Sequence, residues 1–224
     1  MQQIGRHGMT VPQEWRLKLA TEDADGMQSG MAETAHPIQT LSILLLPGLG
    51  NSGPAHWHTH WEAMFGYERV IQEDWDTPRL DDWMACLHER IVRDQHRKIL
   101  VAHSLACCLV AHWSSAHDDN LVAGALLVAP SDVEGPNYPA GTVGFAPMPL
   151  DHLKFPSIVA ASSNDPYVSV ERARQFAQAW GADFQLLGDR EHIGSAAGLG
   201  PWAEGHKLLM ELGRTASSRS HFND

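Results

Sequence analysis

The sequence predicts an α/β protein: a doubly wound, mostly parallel sheet of about six strands, flanked by helices. Three observations carry this. Continuous apolar runs at Leu41 to Leu46, Ile99 to Ala102 and Gly124 to Ala129 suit strands covered on both faces. Stretches between them repeat apolar residues at helical spacing, as in Leu80, Trp83, Met84, Leu87 and Ile91. Runs and stretches alternate along the chain, with enough residues between successive runs for the crossover that parallel pairing requires.

At 224 residues and 43% hydrophobic, the chain can bury one good core, and a single domain is expected. A net charge of −11 argues against nucleic acid or an anionic membrane surface as partner. No run approaches the ~18 apolar residues of a spanning helix. The opening MQQIGRHGMTVPQEW lacks the apolar core of a secretory signal. Cys86, Cys107 and Cys108 are odd in number and have no C-x-x-C spacing, so they suggest small buried thiols and a cytoplasmic setting.

Residues 1 to 38 are polar and aperiodic and read as a flexible extension; 39 to 213 read as the folded domain, and 214 to 224 as a flexible tail. The first strand breaks at Pro47-Gly48-Leu49-Gly50-Asn51-Ser52-Gly53-Pro54, whose glycines let backbone N–H groups approach a ligand. A helix over about His56 to Phe65 follows, then a short strand at Arg69 to Gln72. Thr77-Pro78 predicts the next helix start, a cap with proline at the first helical position. The proline- and glycine-rich stretch from Pro130 to Pro156 reads as a long ordered loop over the carboxyl end of the sheet. Ser157 to Ala161 is a strand. Ser169 caps a helix that stops at Gly181, Asp183 to Leu187 is a last strand, and Trp202 to Leu212 a last helix.

The strand at Ile99 turns sharply at His103-Ser104, and a helix opens at once with Leu105, Cys108, Leu109 and Trp113 in phase. A serine there has its hydroxyl pushed out at the carboxyl end of the sheet, beside the first N–H groups of the new helix. This is the nucleophile elbow of an α/β-hydrolase, with one departure. In place of G-x-S-x-G stands Ala102-His103-Ser104-Leu105-Ala106, both glycines replaced by the smallest residue that carries a Cβ.

Acyl transfer by Ser104 needs a base, and a carboxylate to hold that base in the right tautomer. In this fold the order along the chain is Ser, then Asp or Glu, then His. Asp165 follows the fifth strand and His192 the sixth, both at the sheet end that carries Ser104, so Asp165 is assigned as orienting acid and His192 as base. Asp189 and Glu191 are too close along the chain to reach the far ring nitrogen comfortably, and His206, inside the last helix, reads as surface. The oxyanion hole takes one N–H from Leu105 and a second from either Leu49 or Gly50. Asn51, His103 and Tyr167 are candidate pocket residues, although a side chain in the place of His103, next to the elbow, more often packs beneath the neighbouring loop. His56 and His60 stand at i, i+4 but lack H-E-x-x-H and a third ligand, so a packed helix start is expected there rather than a metal. No cofactor is expected.

The segments LLLPGLGNSGPAHWHTHWE, QEDWDTP, VAHSLA, LLVAPSDVE, FPSIVAASSNDPYVS and GDREHIGSAAGLGPW, in this order, resemble the small serine hydrolases typified by retinoblastoma-binding protein nine, and their bacterial branch in particular. The resemblance runs from about Ile43 to Leu212. It implies a compact α/β-hydrolase with no large cap domain, and a triad at Ser104, Asp165 and His192. The Leu-x-Cys-x-Glu motif for retinoblastoma protein is absent: Cys86 is followed by Leu87-His88-Glu89, so that partner is not carried over. The expected function is hydrolysis of small carboxylic esters, less readily amides, through an acyl-enzyme. The alternatives are a hydrolase-fold binding protein with a weak or vestigial triad, and a long-chain lipase, disfavoured for want of an amphipathic lid.

Overall fold

The structure, a computed structural model, describes residues 41–118 and 120–220. The extension at 1 to 38 lies outside them.

Six strands form one sheet: β1 (Ser42–Leu46), β2 (Glu68–Arg69), β3 (Lys98–His103), β4 (Val122–Val128), β5 (Ser157–Ala161) and β6 (Asp183–Leu186). Their order is β2-β1-β3-β4-β5-β6, and every pairing is parallel. The chain moves outward from β1 to β2, then returns past β1 to place β3 on its other side. Connections leaving β1 and β3 therefore diverge, and the crevice between them opens at the carboxyl ends of the strands. That crevice lies between the Pro47–Pro54 loop and Ser104.

The helices are α1 (Trp57–Phe65), α2 (Leu80–Val92), α3 (Leu105–Ala116), α4 (Val170–Trp180) and α5 (Ala203–Ser220). Alternate residues of each central strand serve opposite faces, which is why these strands read as unbroken apolar runs. Leu44, Leu46, Leu100 and Ala102 pack with α2, α3 and α4, through Trp83, Leu87, Trp113, Phe176 and Trp180. Ile43, Leu45, Ile99 and Val101 pack with α1 and α5, through Trp57, Trp61, Leu209 and Leu212. Gly124 permits this second packing: a Cβ there would sit 3.2 Å from the Leu212 side chain and 3.1 Å from the Pro156 carbonyl oxygen.

Local signals set several boundaries. Ser169 accepts from Arg172 N–H to cap α4, and Gly181 closes it in the left-handed conformation. His56 caps α1 with its ring, which accepts from His58 N–H, and Gly66 ends it. Elsewhere tertiary contacts override the local signal. Helix α2 starts at Leu80 and not at Pro78, because Thr77 is held by Asp74: its N–H and hydroxyl both donate to that carboxylate. Residue 79 is extended and bridges to Val143, so Leu80 N–H donates to the Val143 carbonyl. Strand β2 covers only Glu68–Arg69, shorter than Arg69 to Gln72. Helix α5 continues through the segment read as a tail, to Ser220, because Ala216 extends the buried stripe of Leu209 and Leu212.

The Pro130–Pro156 segment only begins over the carboxyl end of the sheet. Its later part runs down beside α3 and α4, where Phe145, Met148, Leu153 and Phe155 enter the core. Among the described residues, no helix is long and apolar enough to cross a membrane.

Candidate active site

Ser104 joins β3 to α3 with φ 60° and ψ −124°, a conformation that side-chain-bearing residues rarely adopt and that costs about 1–3 kcal/mol. The sharp turn lifts its hydroxyl off the sheet. Room for it comes from Gly48 on the β1 loop. Ala102 and Ala106 are fully buried within the core on the α3 side and carry their methyl groups there without loss of the turn.

His192 stands on the loop after β6. His192 Nε2 lies 2.8 Å from Ser104 Oγ. Its Nδ1 is 2.8 Å from Asp165 Oδ2 and 3.0 Å from Oδ1. A nitrogen facing two carboxylate oxygens must donate, so the neutral ring presents its lone pair at Nε2, toward the serine. The Asp165 carboxylate is fully shielded from solvent and also accepts from Tyr167 N–H at 2.9 Å. Asp189 instead accepts from the Ser163 hydroxyl, and the exposed Glu191 meets the neighbouring loop through its backbone.

The histidine loop is fastened at several points. Glu191 and Ile193, on either side of His192, have φ of 48° and 50°. The Ile193 carbonyl accepts from Trp57 Nε1–H at 2.8 Å, and the His192 carbonyl accepts from His103 Nε2–H at 2.8 Å. From the Asp165 loop, Asn164 Oδ1 accepts from Glu191 N–H at 2.7 Å and from the Ser162 hydroxyl, while Ser162 Oγ accepts from Arg190 N–H. Asn164 and Ser162 thus lock the Asp165 and His192 loops to one another. Sequence reasoning missed both, although their place directly after β5 was a signal.

His103 both lines the cavity and packs: it buttresses the His192 backbone from below. Burial, with His56 and His192 nearby, pushes its pKa well below the ordinary value. Burial likewise takes His56 down to about 4, helped by Arg69 and His192, and His58 well below its usual value. These rings, centroids 4.8–6.3 Å apart, are neutral at pH 7. Among the described residues, no group of three or more His, Cys, Asp or Glu is placed to hold a metal ion. His206 is half-buried. It stacks on Phe65 and Tyr67, 2.9 Å from the Tyr67 hydroxyl, and burial lowers its pKa to about 4.

Of the two candidates for the second oxyanion donor, Gly50 is excluded because its N–H donates to the Trp75 carbonyl at 2.9 Å. Leu49 and Leu105 both line the cavity around Ser104. Asn51, at φ 64°, sits at the cavity margin, where its side-chain oxygen accepts from Ser52 N–H and Arg69 and so shapes the loop. The cavity has a volume of about 510 Å³, with apolar walls from Leu49, Tyr138, Pro139, Pro166, Tyr167 and Ala196. Ser131, which sequence reasoning gave no role, faces Ser104 across it: the two hydroxyl oxygens are 2.9 Å apart.

Known proteins share the fold and, in one case, about a third of the sequence. A protein of Pectobacterium atrosepticum assigned as a YdeN-like hydrolase is 31% identical, with a TM-score of 0.71 over 80% of this chain and 94% of that one. The ydeN gene product of B. subtilis, 17% identical, has a TM-score of 0.59 over 77% of this chain and 98% of that one. A monoacylglycerol lipase from Paleococcus ferrophilus, 11% identical, has a TM-score of 0.55 over 79% and 93%. The last two likenesses show the fold alone, that of the α/β-hydrolases. A search of curated proteins found no match. The model of the serine hydrolase family matches residues 43–211, a span that includes the elbow and both loops described above, and the chain belongs to that family.

Proposed function

We propose that this serine hydrolase cleaves small carboxylic esters through an acyl-enzyme on Ser104, with His192 as general base and Asp165 as the acid that orients it. The observation that carries the reading is the unbroken chain from Asp165 through His192 to Ser104, with heavy-atom distances of 2.8 Å at both links. Ser104 Oγ attacks the ester carbonyl carbon while its proton passes to His192 Nε2. The imidazolium that forms is stabilised by Asp165, and the carbonyl oxygen, now negative, is held by the N–H groups of Leu105 and Leu49. Collapse expels the alcohol, which takes the proton from His192. A water molecule, deprotonated by the same nitrogen, then attacks the acyl carbon, and Ser104 Oγ leaves with that proton to release the acid.

The alternative is a binding protein with a vestigial triad. Against it stand the strained Ser104 backbone, which a binding site has no reason to retain, and the shielding of Asp165 from solvent. Within the family, the segments shared with the retinoblastoma-binding-protein-nine-like hydrolases support placement in their bacterial branch. Buried free thiols at Cys107 and Cys108 support a cytoplasmic setting.

A fluorophosphonate probe tests the reading. Wild-type protein is expected to label, and Ser104→Ala to remain unlabelled and to lose activity on p-nitrophenyl acetate by several powers of ten. A wild-type protein that is folded yet neither labels nor turns over would favour the binding reading. Labelling that survives in Ser104→Ala would remove the serine from its role.

A further inference from the structure

We infer that Ser131 is a further catalytic residue, whose hydroxyl donates a hydrogen bond to Ser104 Oγ as that oxygen gives up its proton. The inference rests on the reading of Ser104 as nucleophile. Its basis is the 2.9 Å separation of two buried hydroxyl oxygens that belong to different loops.

The direction of this hydrogen bond follows from the neighbours. His192 Nδ1 donates to Asp165, so Nε2 is the acceptor and the Ser104 hydrogen points to it. A hydroxyl has one hydrogen. With that of Ser104 committed to His192, the hydrogen in the contact between the serines belongs to Ser131. The Ser104 oxygen therefore donates once and accepts once, which fixes its rotor with a lone pair left for the carbonyl carbon.

The bond strengthens when it is needed. As the Ser104 proton moves to His192, electron density rises on Oγ, and a donor already in place stabilises that charge without reorganisation. No proton is transferred by Ser131, and no atom is gained or lost there. Its role differs from that of the Leu49 and Leu105 N–H groups, which face the carbonyl oxygen: Ser131 acts on the attacking oxygen.

The fold holds Ser131 in place from both sides. On one side β4 ends at Val128, and Ala129, at φ 48°, turns the chain while its N–H stays paired to the Ala160 carbonyl. On the other, Asp132 N–H donates to the Tyr167 carbonyl, and its carboxylate accepts from Arg172 Nε at 3.2 Å. The Asp132–Arg172 pair therefore fastens the Ser131 loop to the start of α4, and the Tyr167 carbonyl fastens it to the loop that carries Asp165.

Three substitutions test this: Ser131→Ala, Ser131→Cys, which fills the same space with a weak donor, and Ser131→Thr, which keeps the hydroxyl. The readouts are the second-order rate of fluorophosphonate labelling, kcat and KM on p-nitrophenyl acetate, and the thermal midpoint. Loss of a hydrogen bond to a developing charge is expected to lower the labelling rate and kcat of the Ala and Cys variants about 10- to 100-fold, with KM and midpoint little changed and Thr within a few-fold of wild type. Wild-type rates in Ser131→Cys would overturn the inference, as would an equal fall in all three variants, the mark of packing alone. If those variants behave as wild type while Ser104→Ala abolishes labelling, Ser131 is ruled out and the nucleophile stands. Labelling that persists in Ser104→Ala overturns both.

Discussion

The Gly48 backbone lies so close to Ser104 that a Cβ at position 48 would be 2.7 Å from the Ser104 Cβ and 2.8 Å from the His103 carbonyl oxygen. Real Cβ atoms do not approach so near, and neither neighbour is the free end of a flexible side chain. The tight contact at this elbow is thus between two loops, at the switch point where β1 and β3 send their connections in opposite directions. That places the strict demand for glycine at 48 and leaves 102 and 106 free to be alanine.

Gly48→Ala is therefore expected to cost more than any change at the two alanines that remains small. Its clash should displace the elbow, lowering stability by ~1–3 kcal/mol and the fluorophosphonate labelling rate at least tenfold. Ala102→Gly and Ala106→Gly are expected to label within a few-fold of wild type. Labelling kinetics and urea midpoints of the three proteins check the ranking, and a wild-type Gly48→Ala protein would contradict it.

Asp165→Asn removes the charge beside His192 and allows the ring to settle in the wrong tautomer. Folding should survive, and kcat should fall by up to ~10⁴-fold, the scale of the equivalent change in a well-studied protease. Asp189→Asn and Glu191→Gln are expected to change kcat by a few-fold at most, since neither carboxylate meets the ring. Steady-state kinetics with a melting curve for each variant decides it. An Asp189 or Glu191 variant as slow as Asp165→Asn at an unchanged midpoint would reassign the acid.

The buried histidines predict acid lability. His56 and His206 have folded-state pKa values of about 4 against 6.5 for the free group, and His58 and His103 are lowered well below 6.5. Between pH 6.5 and 4 the unfolded chain binds protons at these positions that the folded chain does not. Stability is therefore at its plateau above pH 6.5 and falls as the pH drops below it, with each such group contributing a slope of ~1.4 kcal/mol per pH unit. Urea unfolding from pH 7.5 to 4.5 is expected to show this fall. His206→Gln should reduce its slope by about one proton, and a midpoint flat down to pH 4.5 would refute the prediction.

Much of the framework was legible in the sequence because the signals that set it act over a few residues. The β5 boundaries follow from an apolar run, and α4 from the Ser169 cap, the buried stripe and Gly181. Ser104, Asp165 and His192 could be singled out because each stands on the connection leaving the carboxyl end of a strand, and parallel strands place all such connections at one end of the sheet.

Only the tertiary structure decided the rest, because there a distant partner competes with the local preference. Thr77 would cap a helix in isolation, but the Asp74 carboxylate holds it, and the bridge from Arg79 to Val143 keeps residue 79 extended. Residues 214–220 look polar enough to fray, yet Ala216 meets the core and α5 continues. The same applies within the site. Gly50 loses its N–H to Trp75, a carbonyl 25 residues further along the chain. Ser131 reaches Ser104 across 27 residues because β3 and β4 are neighbours in the sheet. The spacing of residues along a chain determines which groups can share a helix face or a sheet edge. The order of the strands, fixed by burial of the whole core, determines which hydroxyl, ring or N–H meets which.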